Sequence, residues 1–298
     1  MALEPSPGPR KRPDFLQAAL VISILTACLP FAGNTSARAR SVDAPGKGFP
    51  TIAVSAAIVL DQDSRQVLLS KEKDRRLPPA SLTKVMTALV ALESGSLHET
   101  VTVDSESAAQ PQPGMGLRPG DKVALGDLIA ASLITSANDA CRAAAVHVGG
   151  DIGGFVGRMN ERASSLGLRN TRFANPCGFD APGHYSTAAD LAALTLVALK
   201  HNRLAMMVRM METTLQTVDG KRVFSLRNSN RLLSDPEVNG VKTGYTREAG
   251  HCLIVSAFKE RKRLLLVGLN FRDRWLGPIE LMMAGLYGAA PSPARLSP

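Results

Sequence analysis

The chain has 298 residues, 45% of them hydrophobic and 20% charged, with a formal net charge of +9. That balance suits one sizeable core or two closely packed subdomains and excludes a disordered chain. Aromatic residues make up only 4% and nowhere alternate with basic ones, which excludes the stacking platforms of a nucleic-acid binder; the positive charge reads as scattered solvated Lys and Arg, or as a surface suited to anionic headgroups or wall polymers.

In chain order, Arg10, Lys11 and Arg12 precede the apolar stretch "FLQAALVISILTACLPFAG", the layout of a secretory signal. Residues 1–39 are therefore expected to be a signal peptide or an N-terminal anchor, with the protein exported to the periplasm or the outer face of the cytoplasmic membrane. Three fates stay open: cleavage after Ala39 in "ARA", which is favoured, lipidation at Cys28 in "LTAC", or retention as an anchor. Cleavage leaves 31 basic and 24 acidic residues, a net +7. No later stretch is long and apolar enough to span a membrane, so any membrane association is expected through the N-terminus.

Residues 40–49 read as a polar linker and 50–290 as the folded domain. "AVSAAIVLD" and "QVLLSKEKD" around "QDSR" predict a hairpin. From Ser81, apolar Leu82, Val85, Met86, Leu89, Val90 and Leu92 recur at helical spacing until Gly95. A turn-rich connection from Gln110 leads to helical runs "LGDLIAASLITSANDACRAAAVHVGG" and "IGGFVGRMNERASSLGL". A further helix, "STAADLAALTLVALKHN", follows a capping signal from Thr187 to Asp190. Strands return in "TTLQTV", "NGVKTGYT" and the hairpin "HCLIVSAFKERKRLLLVGLN", before a last helix near Trp275. Strands at both ends with helices between them predict one antiparallel sheet closed by the two ends of the domain. Residues 291–298 read as a disordered tail.

Cys28 belongs to the leader, and Cys141, Cys177 and Cys252 are widely spaced, with no paired thiols or histidines at zinc-ligand spacing. They are expected to be small buried apolar side chains rather than a disulfide framework. Cys141 and Cys177 stay open as neighbours of a site. His98, His147, His184, His201 and His251 are read as structural or exposed. No metal and no cofactor is expected.

Chemistry enters at "SLTK". A serine and a lysine at i and i+3 share one helix face, so the Lys84 amine falls within reach of the Ser81 hydroxyl. Serine needs a nearby base to be a nucleophile, and lysine serves only where burial or a neighbouring cation lowers its pKa. Alone, the motif reads as a helix cap, since serine is a favoured N-cap. Two further motifs change that reading: "SAN" at Ser136–Asn138 and "KTG" at Lys242–Gly244 follow in order. Singly these would be a cap, an Asx turn, an edge charge and a bulge.

Together, S-x-x-K, S-x-N and K-T-G in this order resemble the penicillin-binding protein and serine β-lactamase superfamily. "SANDACRAAAVHVGG", "FVGRMNERASSLGLRNTRFANPCGFDAPGHYSTAADLAAL" and "NGVKTGYTREAGHCLIVSAFKERKRLLLVGL" extend the resemblance to the low-molecular-mass D-alanyl-D-alanine carboxypeptidases over about residues 50–290. The resemblance implies an α/β (α+β) fold: a five-stranded antiparallel sheet packed with helices beside a mostly helical subdomain. It implies that Ser81 attacks the penultimate D-alanine of a peptidoglycan stem peptide, that Lys84 accepts its proton and that Ser136 relays a proton to the leaving amine. Asn138 would hold Lys84 or the substrate peptide. Lys242 would lower the Lys84 pKa and attract the substrate carboxylate, with Thr243 as hydroxyl donor. Gly244 completes this substrate-binding segment, and the backbone N–H groups of Ser81 and Tyr245 would form the oxyanion hole. Arg274, with Arg272, is a candidate carboxylate clamp against the alternative of a solvated pair.

β-Lactams are implied as covalent inhibitors, and no nucleic-acid partner is expected. The middle alanine of "SAN" departs from the glycine of many relatives, and many relatives continue into a β-rich second domain and an amphipathic anchoring helix where this sequence stops soon after its final helix, so any anchor is expected at the N-terminus. A D,D-endopeptidase cutting cross-links is the nearest alternative. A β-lactamase is disfavoured because "NPCGFDAPGHYST" offers no Glu to activate a deacylating water. A catalytically silent wall-binding protein is the remaining reading, disfavoured by the intact Ser81, Lys84 and Lys242.

Overall fold

Alternation in Val54–Asp61 (β1) sends Ala56, Ile58 and Leu60 to one side of the chain and Ala57 and Val59 to the other. All five are buried, because the sheet they join is covered on both faces. The computed structural model describes residues 52–287 except Ser96. The signal or anchor, Cys28, the linker and the C-terminal tail expected from the sequence lie outside the described residues.

β1 pairs with Val67–Lys71 (β2), and a 3-10 turn, Ala80–Thr83, leads into α1, Lys84–Ser94. Then come β3 (Thr100–Thr102), α2 (Ser105–Ala108), β4 (Lys122–Ala124), α3 (Leu125–Ile134), α4 (Asn138–Gly149) and α5 (Ile152–Ser165). They are followed by α6 (Ala188–Ala198), α7 (Asn202–Arg209), β5 (Glu212–Gln216) and β6 (Val223–Arg227). Three long strands, β7 (Val238–Thr246), β8 (Gly250–Lys259) and β9 (Lys262–Phe271), precede α8 (Leu276–Tyr287). Asp104, Asp151 and Thr187 cap α2, α5 and α6 by accepting from backbone N–H groups in the first turn.

The main sheet is antiparallel in the order β2-β1-β9-β8-β7, so strands from both ends of the domain meet at its centre, as the sequence pattern predicts. One face, with Ile58, Leu60, Ile254, Leu265 and Val267, packs on the helical part; the other, with Val59, Val255, Leu264 and Leu266, packs on Leu281 and Met282 of α8. Double coverage explains why β8 and β9 read as continuous apolar runs. The small pair β3–β4 goes beyond the sequence pattern because three-residue strands carry no periodicity, and β5, which the pattern does predict, pairs with the five-residue β6, which it does not.

α1 is buried from Lys84 to Ala91. A helix enclosed this way holds its first residues rigidly, and β7 passes beside them. At Gly244 an added Cβ would lie 3.1 Å from the backbone nitrogen of Ser81 and 3.3 Å from that of Leu82. Glycine there lets the strand run against the turn that carries the serine.

Candidate active site

The turn Ala80–Thr83 places Ser81 ahead of α1, where the spacing had suggested a cap. No side-chain cap bond is made there: the N-terminal residue is Pro79, and the Ser81 hydroxyl instead meets Lys84 Nζ at 2.9 Å. Ala80 sits at φ +49, a left-handed conformation unusual for alanine. It is held by packing and hydrogen bonds. The Ala80 carbonyl accepts from Thr83 Oγ1 at 2.8 Å, and Gly178 (φ +87) approaches so closely that a Cβ would fall 2.0 Å from that carbonyl oxygen.

A hydrogen-bond chain behind the turn fixes it further. The Ala174 N–H donates to His184 Nδ1 at 2.9 Å, so the ring carries its proton on Nε2 and donates it to Thr83 Oγ1, also at 2.9 Å. Burial lowers the His184 pKa to about 4, against a weaker opposing pull from Asp180, so the ring is neutral at ordinary pH. The expectation of a structural histidine is met.

Lys84 is fully buried, and burial, then the charge of Lys242, lowers its pKa well below that of a free lysine. Besides Ser81 its amine has two partners: Asn138 Oδ1 at 2.8 Å and the Cys177 carbonyl at 2.6 Å. Asn138 Nδ2 donates to the Pro111 carbonyl at 2.8 Å, which fixes Oδ1 toward the lysine. Both acceptors are carbonyl oxygens and can only accept. A neutral amine has two N–H bonds and one lone pair; with both N–H bonds so taken, the lone pair is left for the Ser81 O–H. In that state Ser81 donates to Lys84, the direction needed to activate an alcohol.

Ser136 and Asn138 flank the start of α4. Ser136 is buried at φ +64, in the left-handed conformation that turns the chain from α3 into α4. The neighbouring Asp139 accepts from the N–H groups of Met115, Gly116 and Leu117, at 3.0, 2.9 and 3.0 Å, and so moors the connection 111–117 beside the site. The sequence motifs do not single out Asp139. Its signal is an acidic residue beside the central motif, which patterning alone cannot distinguish from a first-turn helix charge.

On β7, Lys242 is buried and donates to the Thr243 carbonyl at 2.8 Å; burial lowers its pKa to about 7. Thr243 Oγ1 pairs with Ser229 Oγ at 2.6 Å. Tyr245 is exposed and stacks on His251 with ring centroids 4.8 Å apart. Arg274 lies over the Trp275 ring at 4.8 Å, with Arg231 over the same ring at 5.8 Å; burial and then Arg231 lower its pKa. Its charge also depresses His251, second to burial, so Arg274 acts on the Tyr245–His251 corner. Arg272 is tied by its backbone N–H to the Ala53 carbonyl.

The cysteine reading needs correction. Cys141 and Cys177 form a disulfide, with Cα atoms 6.0 Å apart, and only Cys252 is a free, buried thiol among the described residues. The 36-residue separation matches no spacing rule, and only the fold brings α4 against the loop after α5. No group of three or more His, Cys, Asp or Glu side chains among the described residues is placed to hold a metal ion.

A five-stranded antiparallel sheet, a helical insertion and a serine–lysine pair beside the sheet's edge strand define the penicillin-binding-protein fold. Among solved structures, the Streptomyces K15 DD-transpeptidase superposes with a TM-score of 0.76 at 30% identity, over 81% of this chain and 99% of that one. The family model described as D-alanyl-D-alanine carboxypeptidase matches residues 40–273, and the chain belongs to that family. It is 37% identical over 218 residues to the D-alanyl-D-alanine carboxypeptidase DacF of Bacillus subtilis, covering 71% of this chain and 56% of that protein. It is 31% identical over 257 residues to a D-alanyl-D-alanine endopeptidase of Pseudomonas aeruginosa, covering 84% of this chain and 82% of that one. The chain thus spans little more than half the length of the carboxypeptidase.

Proposed function

We propose that the protein is a serine-type D-alanyl-D-alanine carboxypeptidase acting on peptidoglycan stem peptides. The observation that carries this is the buried Lys84 amine, its pKa lowered by burial and then by Lys242, held 2.9 Å from the Ser81 hydroxyl and within hydrogen-bond reach of the Asn138 and Cys177 carbonyls, so that its neutral form keeps the lone pair for Ser81. Ser81 Oγ attacks the carbonyl carbon of the penultimate D-alanine while its proton passes to Lys84. The oxyanion is held by the backbone N–H groups of Ser81 and Tyr245, whose elements are brought together by the close pass at Gly244; such donors typically contribute about 3 kcal/mol each. Collapse breaks the peptide bond, with the proton delivered through Ser136 to the amine of the departing D-alanine. Water then cleaves the Ser81 ester and releases the shortened stem.

Lys242, Thr243 and Gly244 line the substrate side of β7. The Lys242 charge, with Arg274 beyond Tyr245, suits the terminal carboxylate, which a carboxypeptidase substrate carries and an internal peptide bond lacks. β-Lactams present a comparable carboxylate and a strained amide, and would acylate Ser81. The Cys141–Cys177 disulfide suits an oxidising compartment, which supports export behind the N-terminal segment, to the periplasm or the outer face of the cytoplasmic membrane. In this reading any membrane attachment is through residues 1–39.

A second reading, D,D-endopeptidase, is favoured by one observation, the coverage of most of the Pseudomonas aeruginosa enzyme's length. The test offers purified protein a pentapeptide stem and cross-linked muropeptides. Release of D-alanine from the stem at the higher kcat/KM is expected. Faster cleavage of cross-links would transfer the assignment to the endopeptidase, and absence of a penicillin adduct on Ser81 in folded protein would remove both.

A further inference from the structure

The two groups that use up the N–H bonds of Lys84 come from separate segments. Asn138 is the first residue of α4, and Cys177 lies in the loop between α5 and α6. That loop is knotted on itself: Asn175 Oδ1 accepts from the N–H groups of Cys177, Gly178 and Phe179, and Asn175 Nδ2 donates to the Phe179 carbonyl. Toward α1 it is held by Thr87 Oγ1, which donates to the Pro176 carbonyl at 2.5 Å. The disulfide ties it to α4. Its two ends are the residue whose own carbonyl accepts from Lys84 and, on α4, the residue one helical turn after Asn138. Both sulfurs are buried.

We propose that the Cys141–Cys177 disulfide is a positioning element for the general base, holding the Asn138 and Cys177 acceptors at one separation so that the Lys84 lone pair stays on Ser81. The inference rests on the reading of Lys84 as base given above. Without the bond, α4 and the loop part, water reaches the amine, and the charged form of Lys84 is favoured. Neighbouring charges do not substitute for this control. Lys242 on β7 repels a charged Lys84 with or without the disulfide. Asp139 on α4 is engaged by the 115–117 N–H groups, Asp180 in the loop by Thr246 Oγ1 and the Glu248 N–H, and His184 by Thr83.

The test compares the full chain with Cys141→Ala, Cys177→Ala and the double variant. The readouts are the rate constant for Ser81 acylation by a fluorescent penicillin across pH, and the Lys84 titration by heteronuclear NMR of its Nζ. Each variant removes the same bond, so all three are expected to lose about the same, roughly tenfold on the acid limb and less at neutral pH, with the acid-limb midpoint and the Nζ titration both displaced upward by about one unit. Losses that add between the single variants, or slower acylation with the titration unmoved, would reduce the disulfide to ordinary packing and overturn the proposal, as would rates equal to the parent's.

Chemical reduction supplies the same comparison if a variant fails to fold. Dithiothreitol donates two electrons and two protons, the Sγ–Sγ bond becomes two thiols, and the reagent closes to its cyclic disulfide. The reduced, alkylated protein should show the same tenfold loss on the acid limb while still melting cooperatively. Cys141 and Cys177 labelled by iodoacetamide in denaturant without prior reduction would also overturn it. The NMR readout needs no turnover, so an unreactive Ser81 would remove the functional reading and leave this one judged by the Lys84 titration.

Discussion

Helix α1 and strand β7 each contribute one lysine, and the two are equally hidden from solvent yet held in opposite ways. Lys84 has three oxygen partners, two of them obligate acceptors; Lys242 has one, a backbone carbonyl. Burial lowers both pKa values. Burial alone therefore does not make a base. The acceptor set does, because it dictates where the lone pair points, while a lysine with one acceptor keeps N–H bonds free for an incoming carboxylate.

The sharpest way to break this contrast is substitution. Lys84→Met should slow acylation of Ser81 by a fluorescent penicillin between about 10²- and 10⁴-fold with little change in KM for the stem peptide. Lys242→Met should cost less in kcat and raise KM for carboxylate-bearing substrates, since it removes attraction rather than proton transfer. It should also shift the acid limb upward, because the Lys242 charge no longer opposes protonation of Lys84. Identical kinetic signatures from the two variants would erase the distinction.

The pH profile comes next. Activity needs Lys84 neutral and Lys242 charged, so kcat/KM should be bell-shaped, with an alkaline midpoint near the Lys242 value of about 7 and a decline approaching tenfold per unit beyond it. In kcat the same limb should lie higher, because a bound carboxylate favours the charged amine. A flat alkaline side would place the carboxylate elsewhere.

Stability should respond in the opposite sense. Between about pH 7 and the ordinary lysine value of 10.5, the unfolded chain holds a proton on Lys242 that the folded chain lacks. Within that window unfolding must take up a proton that grows scarcer as pH rises, so the free energy of unfolding should climb by up to about 1.4 kcal/mol per unit for this group, and be independent of it below the window. Urea titrations of the parent and of Lys242→Met at pH 7 and 9 would show a shallower gain in the variant. The smallest effect belongs to Gly244→Ala, whose Cβ would meet the Ser81 nitrogen at 3.1 Å: a few-fold loss in acylation rate and about 1 kcal/mol of stability, read by stopped-flow labelling and denaturant melts.

Much of this was legible in the chain. The 3.6-residue periodicity of α1, the Thr187 cap and the β8–β9 hairpin follow from side-chain pattern, and Ser81, Lys84, Asn138 and Lys242 come together as their motifs imply. The supports were less visible, each for a physical reason. The third partner of Lys84 is a main-chain carbonyl, which any residue supplies. The disulfide and the Ala174–His184–Thr83–Ala80 chain join segments far apart in sequence, and so carry no local spacing. Arg274, read as a clamp or a solvated charge, turned out stacked on Trp275, because a guanidinium beside an indole gains from the ring face.

The pairing of β1 with β9 bears on how the chain comes to be folded at all. Asn270 Nδ2 reaches Ser55 Oγ across 215 residues of sequence, and the sheet's central partner for β1 is the last of the described strands. A chain synthesised only as far as β6 thus lacks the strand that would close its sheet, and also β7 with the second buried lysine. High contact order of this kind makes folding slow and late. Its serine therefore acquires its chemistry only once both ends of the domain are present to close the sheet.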